Sequence, residues 1–193
     1  MSETPRIPVG LSTTSLYPGS VEDTFRAAAR MGYDGVEVMV WGDKDTQNPQ
    51  KLAQFAQDNN QPVLSVHAPT LLLTRGVFGS SPWDKIDRSI EMAQELGAPT
   101  VVLHPPFFWQ TNYAREFVAG VAQREADSGI KLAVENMFTW RPRTAHSERD
   151  LQAYSPHWDP VGQGYRNVTL DISHAATSGS DALEMARALG PTL

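Results

Sequence analysis

The feature that most constrains the fold is a regular alternation of short apolar strands with amphipathic helices, with no hairpin signal between them. Strand signals fall at "IPVGLS" (7–12), "GVEVMV" (35–40), "PVLSVH" (62–67), "TVVLH" (100–104), "KLAVE" (131–135) and "NVTLD" (167–171). Between them lie helices with local start and stop chemistry. Ser20 and Asp23 have capping-box spacing, Val21, Phe25 and Ala28 form the apolar stripe, and Gly32 ends it. Asn48–Pro49 opens a helix bearing Leu52, Phe55 and Ala56, and Ser81–Pro82 opens one bearing Trp83, Ile86, Ile90 and Ala93, closed by Gly97. Tyr113, Phe117 and Val121 mark the next, closing near Gly129. Ser180 is the expected cap of a last helix, "DALEMARAL", ending at Gly190.

Apolar strands separated by helices imply a parallel sheet covered by helices, because parallel neighbours need a crossover long enough to hold a helix. Two architectures satisfy this, an open doubly wound sheet and a (β/α) barrel. The loop after the first strand, "STTSLYPGS" (12–20), has neither the dinucleotide nor the P-loop glycine pattern, which favours the barrel. The expected fold is α/β, a (β/α)8 barrel of the TIM type cut to about six βα units, with residues 1–193 as one partial domain.

The strand ends carry the chemistry. His67, His104, Glu135 and Asp171 close strands three to six, and His174 follows Asp171. In a parallel barrel all C-terminal strand ends open on one face, where active sites form, so residues far apart in sequence are expected to converge. Imidazoles and carboxylates together suit a first-row divalent metal such as Zn²⁺, Mn²⁺ or Fe²⁺. For any one of them the plainer reading competes: a strand-end His is often structural, and an Asp or Glu can cap the following helix or pair with Arg. Four consecutive strands ending in ligand-type residues tip the balance toward a site. Glu37 is weaker, a supporting group or the partner of an Arg.

Composition bounds the function. A formal net charge of −6 argues against a general nucleic-acid binder. With no cysteine, neither disulfides nor thiolate chemistry can operate. "MSETPRIPVG" has no signal-peptide pattern, and no apolar run approaches the roughly 20 residues that span a bilayer. The expectation is a cytoplasmic protein with no membrane partner, its oligomeric state open, a homo-oligomer included. Aromatic loops follow several strands: Trp41, then "PPFFWQ" with Phe107 and Trp109, then "MFTW" with Trp140. Such rings suit sugar faces, though packing explains several equally well. The long connection from Asn136 to Arg166 holds Arg141, Arg143, His146, Arg149 and His157, either phosphate-gripping or solvated.

Taken in order, "GYDGVEVMV" (32–40), "VHAP" (66–69), "LHPP" (103–106), "VEN" (134–136) and "LDISH" (170–174) resemble the xylose-isomerase-like TIM barrels, which include sugar isomerases, sugar epimerases and the endonuclease IV group. The resemblance runs across the whole chain. It implies that Glu135 and Asp171 bind a divalent metal such as Mn²⁺ or Zn²⁺, with a His on a seventh strand and a Glu on an eighth completing the site. In the epimerases Glu135 would also act as acid or base, moving a proton beside a carbonyl through an enediolate. In the endonuclease group His67, His104 and His174 would be zinc ligands, whereas in epimerases the matching histidines, with Asn136 and the loop aromatics, would touch substrate.

The leading expectation is therefore a metal-dependent sugar or sugar-phosphate isomerase or epimerase of carbohydrate metabolism. An endonuclease IV-like zinc phosphodiesterase is the alternative and a non-catalytic remnant the third. A barrel of this type typically takes ~250 residues. The chain stops at "GPTL", where a seventh strand is expected, so the 193-residue chain is read as an inactive fragment of a longer enzyme.

Overall fold

The computed structural model describes residues 6–70, 74, 76–140 and 151–193, and among these are six strands and six α-helices. They fall into two compact units, residues 1–101 and 102–193. Every strand pairing set out below is parallel, as the missing hairpin signals require.

The first unit holds β1 (Gly10–Ser12), α1 (Val21–Met31), β2 (Gly35–Met39), α2 (Pro49–Asn59), β3 (Val63–His67) and α3 (Pro82–Leu96). Strand β2 lies between β1 and β3, with Ser12 opposite Glu37, Glu37 opposite Ser65 and Met39 opposite His67. The local caps form where the sequence places them. Ser20 accepts from the Asp23 amide while the Asp23 carboxylate receives the Ser20 N–H, and Asn48 and Ser81 accept from Lys51 N and Asp84 N. Gly32 closes α1 in the left-handed conformation at φ 77°, which a Cβ would oppose. Gly35 has a different reason to be glycine. A Cβ there would sit 2.7 Å from Leu64 Cγ and closer still to the Pro62 carbonyl, so β2 and β3 pack over it only because the side chain is absent. Of the predicted helix stripes, Val21, Phe25, Ala28, Leu52, Ile86, Ile90 and Ala93 are buried with Val36, Val38 and Val66 of the strands, while Phe55, Ala56 and Trp83 are half-buried.

Strand β4 (Thr100–Leu103) crosses the boundary between the units. The second unit continues with α4 (Thr111–Ser128), β5 (Lys131–Glu135), β6 (Asn167–Thr169), α5 (Ile172–Ser178) and α6 (Ala182–Leu189). Strands β5 and β6 pair through Ala133–Asn167, Val134–Val168 and Glu135–Thr169. Glu125 of α4 ties both strands, accepting from the Leu132 amide and from the Asn167 side chain.

Several boundaries differ from expectation. Strand β1 begins at Gly10, not residue 7, and His104 lies just after β4 rather than in it. Strand β6 stops at Thr169, and Asp171 is instead the N-cap of α5, a helix the periodicity does not predict because only Ala175 of its seven residues is buried. The last helix is capped by Asp181, not Ser180, since the Asp181 carboxylate reaches both Leu183 N and Glu184 N. Among the described residues no helix is long and apolar enough to cross a membrane.

Candidate metal centre

Glu135 ends β5 with its side chain buried and both carboxylate oxygens engaged by imidazoles. His104 Nε2 lies 3.0 Å from Oε2, and His174 Nδ1 lies 3.1 Å from Oε1. The first contact is buried on both sides; the second opens outward, with the His174 side chain 22% exposed. His174 Nδ1 also lies 2.9 Å from the Asn136 carbonyl and 3.6 Å from Asp171 Oδ2. Burial works against a charged His174, yet the hydrogen bond and charge of Glu135, the charge of Asp171 and the Asn136 carbonyl outweigh it. They hold the imidazole above its ordinary pKa.

Asp171 reaches the centre by way of the cap. Its Oδ1 accepts from His174 N at 2.8 Å and Ser173 Oγ at 2.6 Å, which anchors the first turn of α5 and turns Oδ2 toward the His174 ring. The helix-capping role and the candidate ligand role thus use different oxygens of one carboxylate. Glu135, Asp171 and His174 each offer an atom within 4.8 Å of the others. Two carboxylate oxygens and an imidazole nitrogen form a donor set suited to Mn²⁺, Zn²⁺ or Fe²⁺, and their close spacing puts negative charge where a cation would relieve it.

The other expected residues fall into place around this centre or apart from it. Asn136 is fully buried, with both ends of its amide on the Asp171 backbone. Phe138, part of the aromatic "MFTW" loop but not singled out from sequence, sets its ring 5.1 Å from that of His174. Phe107 is buried in a cluster with Met137, Ala153 and Tyr154. Trp109 stacks on Phe107 at 4.6 Å and 7°, and Trp140 meets both rings; Trp109 and Trp140 stay partly exposed, at 43% and 36%. His157 accepts from the Asp159 amide through Nδ1. Arg141, Arg143, His146 and Arg149 lie outside the described residues.

In the first unit, His67 is the buried last residue of β3, and its carbonyl accepts from the Val40 amide. Trp41 lies just after β2, edge-on to Tyr17 at 5.5 Å. Glu37 accepts from Ser65 Oγ at 3.2 Å, a hydroxyl rather than the Arg partner considered from sequence.

A protein of Mycobacterium tuberculosis H37Rv, described as uncharacterized, is 45% identical over 204 residues, a match covering 98% of this chain and 73% of that one. Among solved structures, a family 2 AP endonuclease from Brucella melitensis superposes with a TM-score of 0.69 at 18% identity, covering 97% of this chain and 77% of its own. The apo form of 3-keto-D-glucoside 4-epimerase from E. coli gives 0.61 at 14% identity, over 94% and 74%. At such identities these two speak for the fold alone. The profile of the family described as "Xylose isomerase-like TIM barrel" matches residues 25–192, and the chain belongs to that family.

Proposed function

We propose that the chain carries the metal-binding and proton-transfer centre of a sugar isomerase or epimerase, with Glu135, Asp171 and His174 as cation ligands. The observation that carries this reading is the approach of those three donors within 4.8 Å, around strand ends that the parallel β5–β6 pairing sets side by side. A bound divalent cation would polarise a substrate carbonyl and so acidify the adjacent C–H. Glu135 is the proton carrier: Oε1 faces the cation ligands, while Oε2 keeps a 3.0 Å link to His104 Nε2. Removing a proton beside the carbonyl of an α-hydroxy ketose leaves an enediolate. Returning it from Glu135 to the neighbouring carbon, with the hydroxyl proton passing between the two oxygens, completes an isomerisation, while an epimerisation takes a second acid on the opposite face. The His104 ring holds Glu135 in one rotamer and stabilises its negative charge. The partly exposed Trp109 and Trp140 offer apolar faces suited to a sugar ring, with or without a phosphate.

The two histidines on Glu135 favour a second reading, a zinc phosphodiesterase, which the net charge of −6 opposes. One experiment addresses both. Metal content is measured by plasma mass spectrometry on untagged chain, wild type against Glu135→Gln, and the chain is then offered ketoses in D₂O or abasic-site DNA. The expected result is close to one divalent ion per chain, affinity lowered by about 10–100-fold in Glu135→Gln, and deuterium exchange beside the carbonyl without net conversion of the ketose. A wild-type chain that binds no divalent ion sinks the proposal. Two or more zinc ions with DNA cleavage would establish the second reading.

A further inference from the structure

After Glu135 the main chain leaves the β5–β6 ladder. The Asn136 N–H still reaches the Thr169 carbonyl at 3.2 Å, but Met137 N turns away to the Trp158 carbonyl at 2.8 Å. Asp171, two residues beyond its last paired neighbour, is therefore left with no backbone partner from β5. The Asn136 side chain takes that place. Its Oδ1 accepts from Asp171 N at 2.6 Å, and its Nδ2 donates to the Asp171 carbonyl at 3.0 Å. A primary amide has the same donor and acceptor as a peptide unit, so Asn136 extends the parallel ladder by one side-chain rung. The Asp171 carbonyl also accepts from Ala175 N, the first turn of α5, so the rung fixes the start of that helix together with the strand end.

We infer that Asn136 is the positioning residue of the metal centre, a side-chain rung that sets the Asp171 carboxylate against Glu135. It touches neither substrate nor cation in this role, because the Asp171 backbone uses both ends of its amide and the side chain is fully buried. The inference rests on the proposed cation site for its consequence, though not for its geometry. Asn136 also contributes its own carbonyl to His174 Nδ1 at 2.9 Å, so one residue registers two of the three ligands to the third. A side chain one methylene longer would push Asp171 outward, and one without the amide would leave the half-buried Asp171 N–H unpaired and its carbonyl with Ala175 N alone.

Two readouts on the intact chain test this. In metal-free protein, hydrogen exchange reports on the Asp171 amide: Asn136→Ala should speed its exchange by at least ~10-fold, whereas Val121→Ala, a core truncation on α4, should leave it near wild type. With Mn²⁺ alone as probe, calorimetric affinity should fall by about 10–100-fold in Asn136→Ala, the range for residues that hold a ligand in place, and by less than ~2-fold in Val121→Ala. Unchanged exchange and unchanged affinity in Asn136→Ala overturn the inference. Equal losses in both variants also overturn it, since they would reduce Asn136 to general stability. Should Asn136→Ala not fold, Asn136→Ser, whose hydroxyl can satisfy at most part of the rung, is read by the same criteria. A wild-type chain with no Mn²⁺ affinity defeats the proposed function instead, and the exchange measurement still decides whether the rung exists.

Discussion

A buried and a half-buried polar site in this molecule gather oxygen acceptors, and they differ in where the positive charge comes from. In the first unit the loop after β3 turns three carbonyls inward, from Pro69, Thr74 and Val77, and Lys85 of α3 reaches them with its ammonium at 3.0, 2.7 and 2.9 Å. Every proton of that ammonium has an acceptor, although burial still pushes the Lys85 pKa down. In the second unit Glu135 and Asp171 bring carboxylates together against the imidazoles of His104 and His174. The first site carries its own fixed cation. The second holds His174, whose charge depends on pH, and a cation bound there as proposed would compete with its proton.

Breaking the self-supplied charge should have the largest effect on folding. Lys85→Met removes the donors to three carbonyls and is expected to cost about 2–4 kcal/mol. The loss is read by urea denaturation, with Mn²⁺ affinity within about 2-fold of wild type in the folded fraction. A parallel loss of Mn²⁺ affinity would show the two sites to be coupled and would undo the contrast.

The pH response sharpens the comparison from the other side. His174 is held above its ordinary pKa of 6.5, so folding favours its protonated form. That stabilisation is fully present below the unfolded value and is lost as pH rises through the raised folded value. Metal-free wild type should therefore lose thermal stability relative to His174→Gln as pH climbs past 6.5, and the difference should level off once His174 is neutral. A difference that develops only at pH values well below 6.5 would take the effect away from His174. Mn²⁺ affinity should move the opposite way, rising with pH as the competing proton leaves the ring.

The smallest change concerns the solvent-side support of Asp171. Ser173→Ala deletes the 2.6 Å hydroxyl contact to Oδ1 but leaves the His174 amide in place, so a cost of about 0.5–1 kcal/mol is expected, with Mn²⁺ affinity within a few-fold of wild type. Thermal denaturation and calorimetry check the two halves. A loss as large as that of Asn136→Ala would mean that the cap, rather than the side-chain rung, sets the carboxylate.

What could be read in advance follows the range of each interaction. Ser20, Asn48 and Ser81 were legible as caps because a cap is a bond between residues three apart, fixed by local chain geometry. Asp171 was legible as a candidate ligand because it ends an apolar segment in a series of such segments. Its duty as cap to α5 was hidden, because "ISHAATS" has no apolar stripe to announce a helix. Asn136 could be placed beside the site but not in its role, since its partner lies 35 residues away and the pairing depends on the register of β5 against β6. Phe107 could be named as a loop aromatic, yet whether a ring stacks on substrate or on other rings depends on what folds beneath it. Here Met137, Ala153 and Tyr154 do.

The sequence by itself determined the succession of strands and helices, the parallel pairing that follows from helical crossovers, and the strand ends at which polar groups appear. Those depend on periodicity and on caps, which act over a few residues. Only the tertiary structure decided that Glu135 is held between His104 and His174, that Asp171 divides its oxygens between a helix cap and the site, and that a side-chain amide completes the ladder between them. Apart from the local cap of Asp171 on the His174 amide, these contacts join residues far apart in the chain, and a shift of one position in the β5–β6 register would break the side-chain rung and turn Glu135 or Asp171 away from the other.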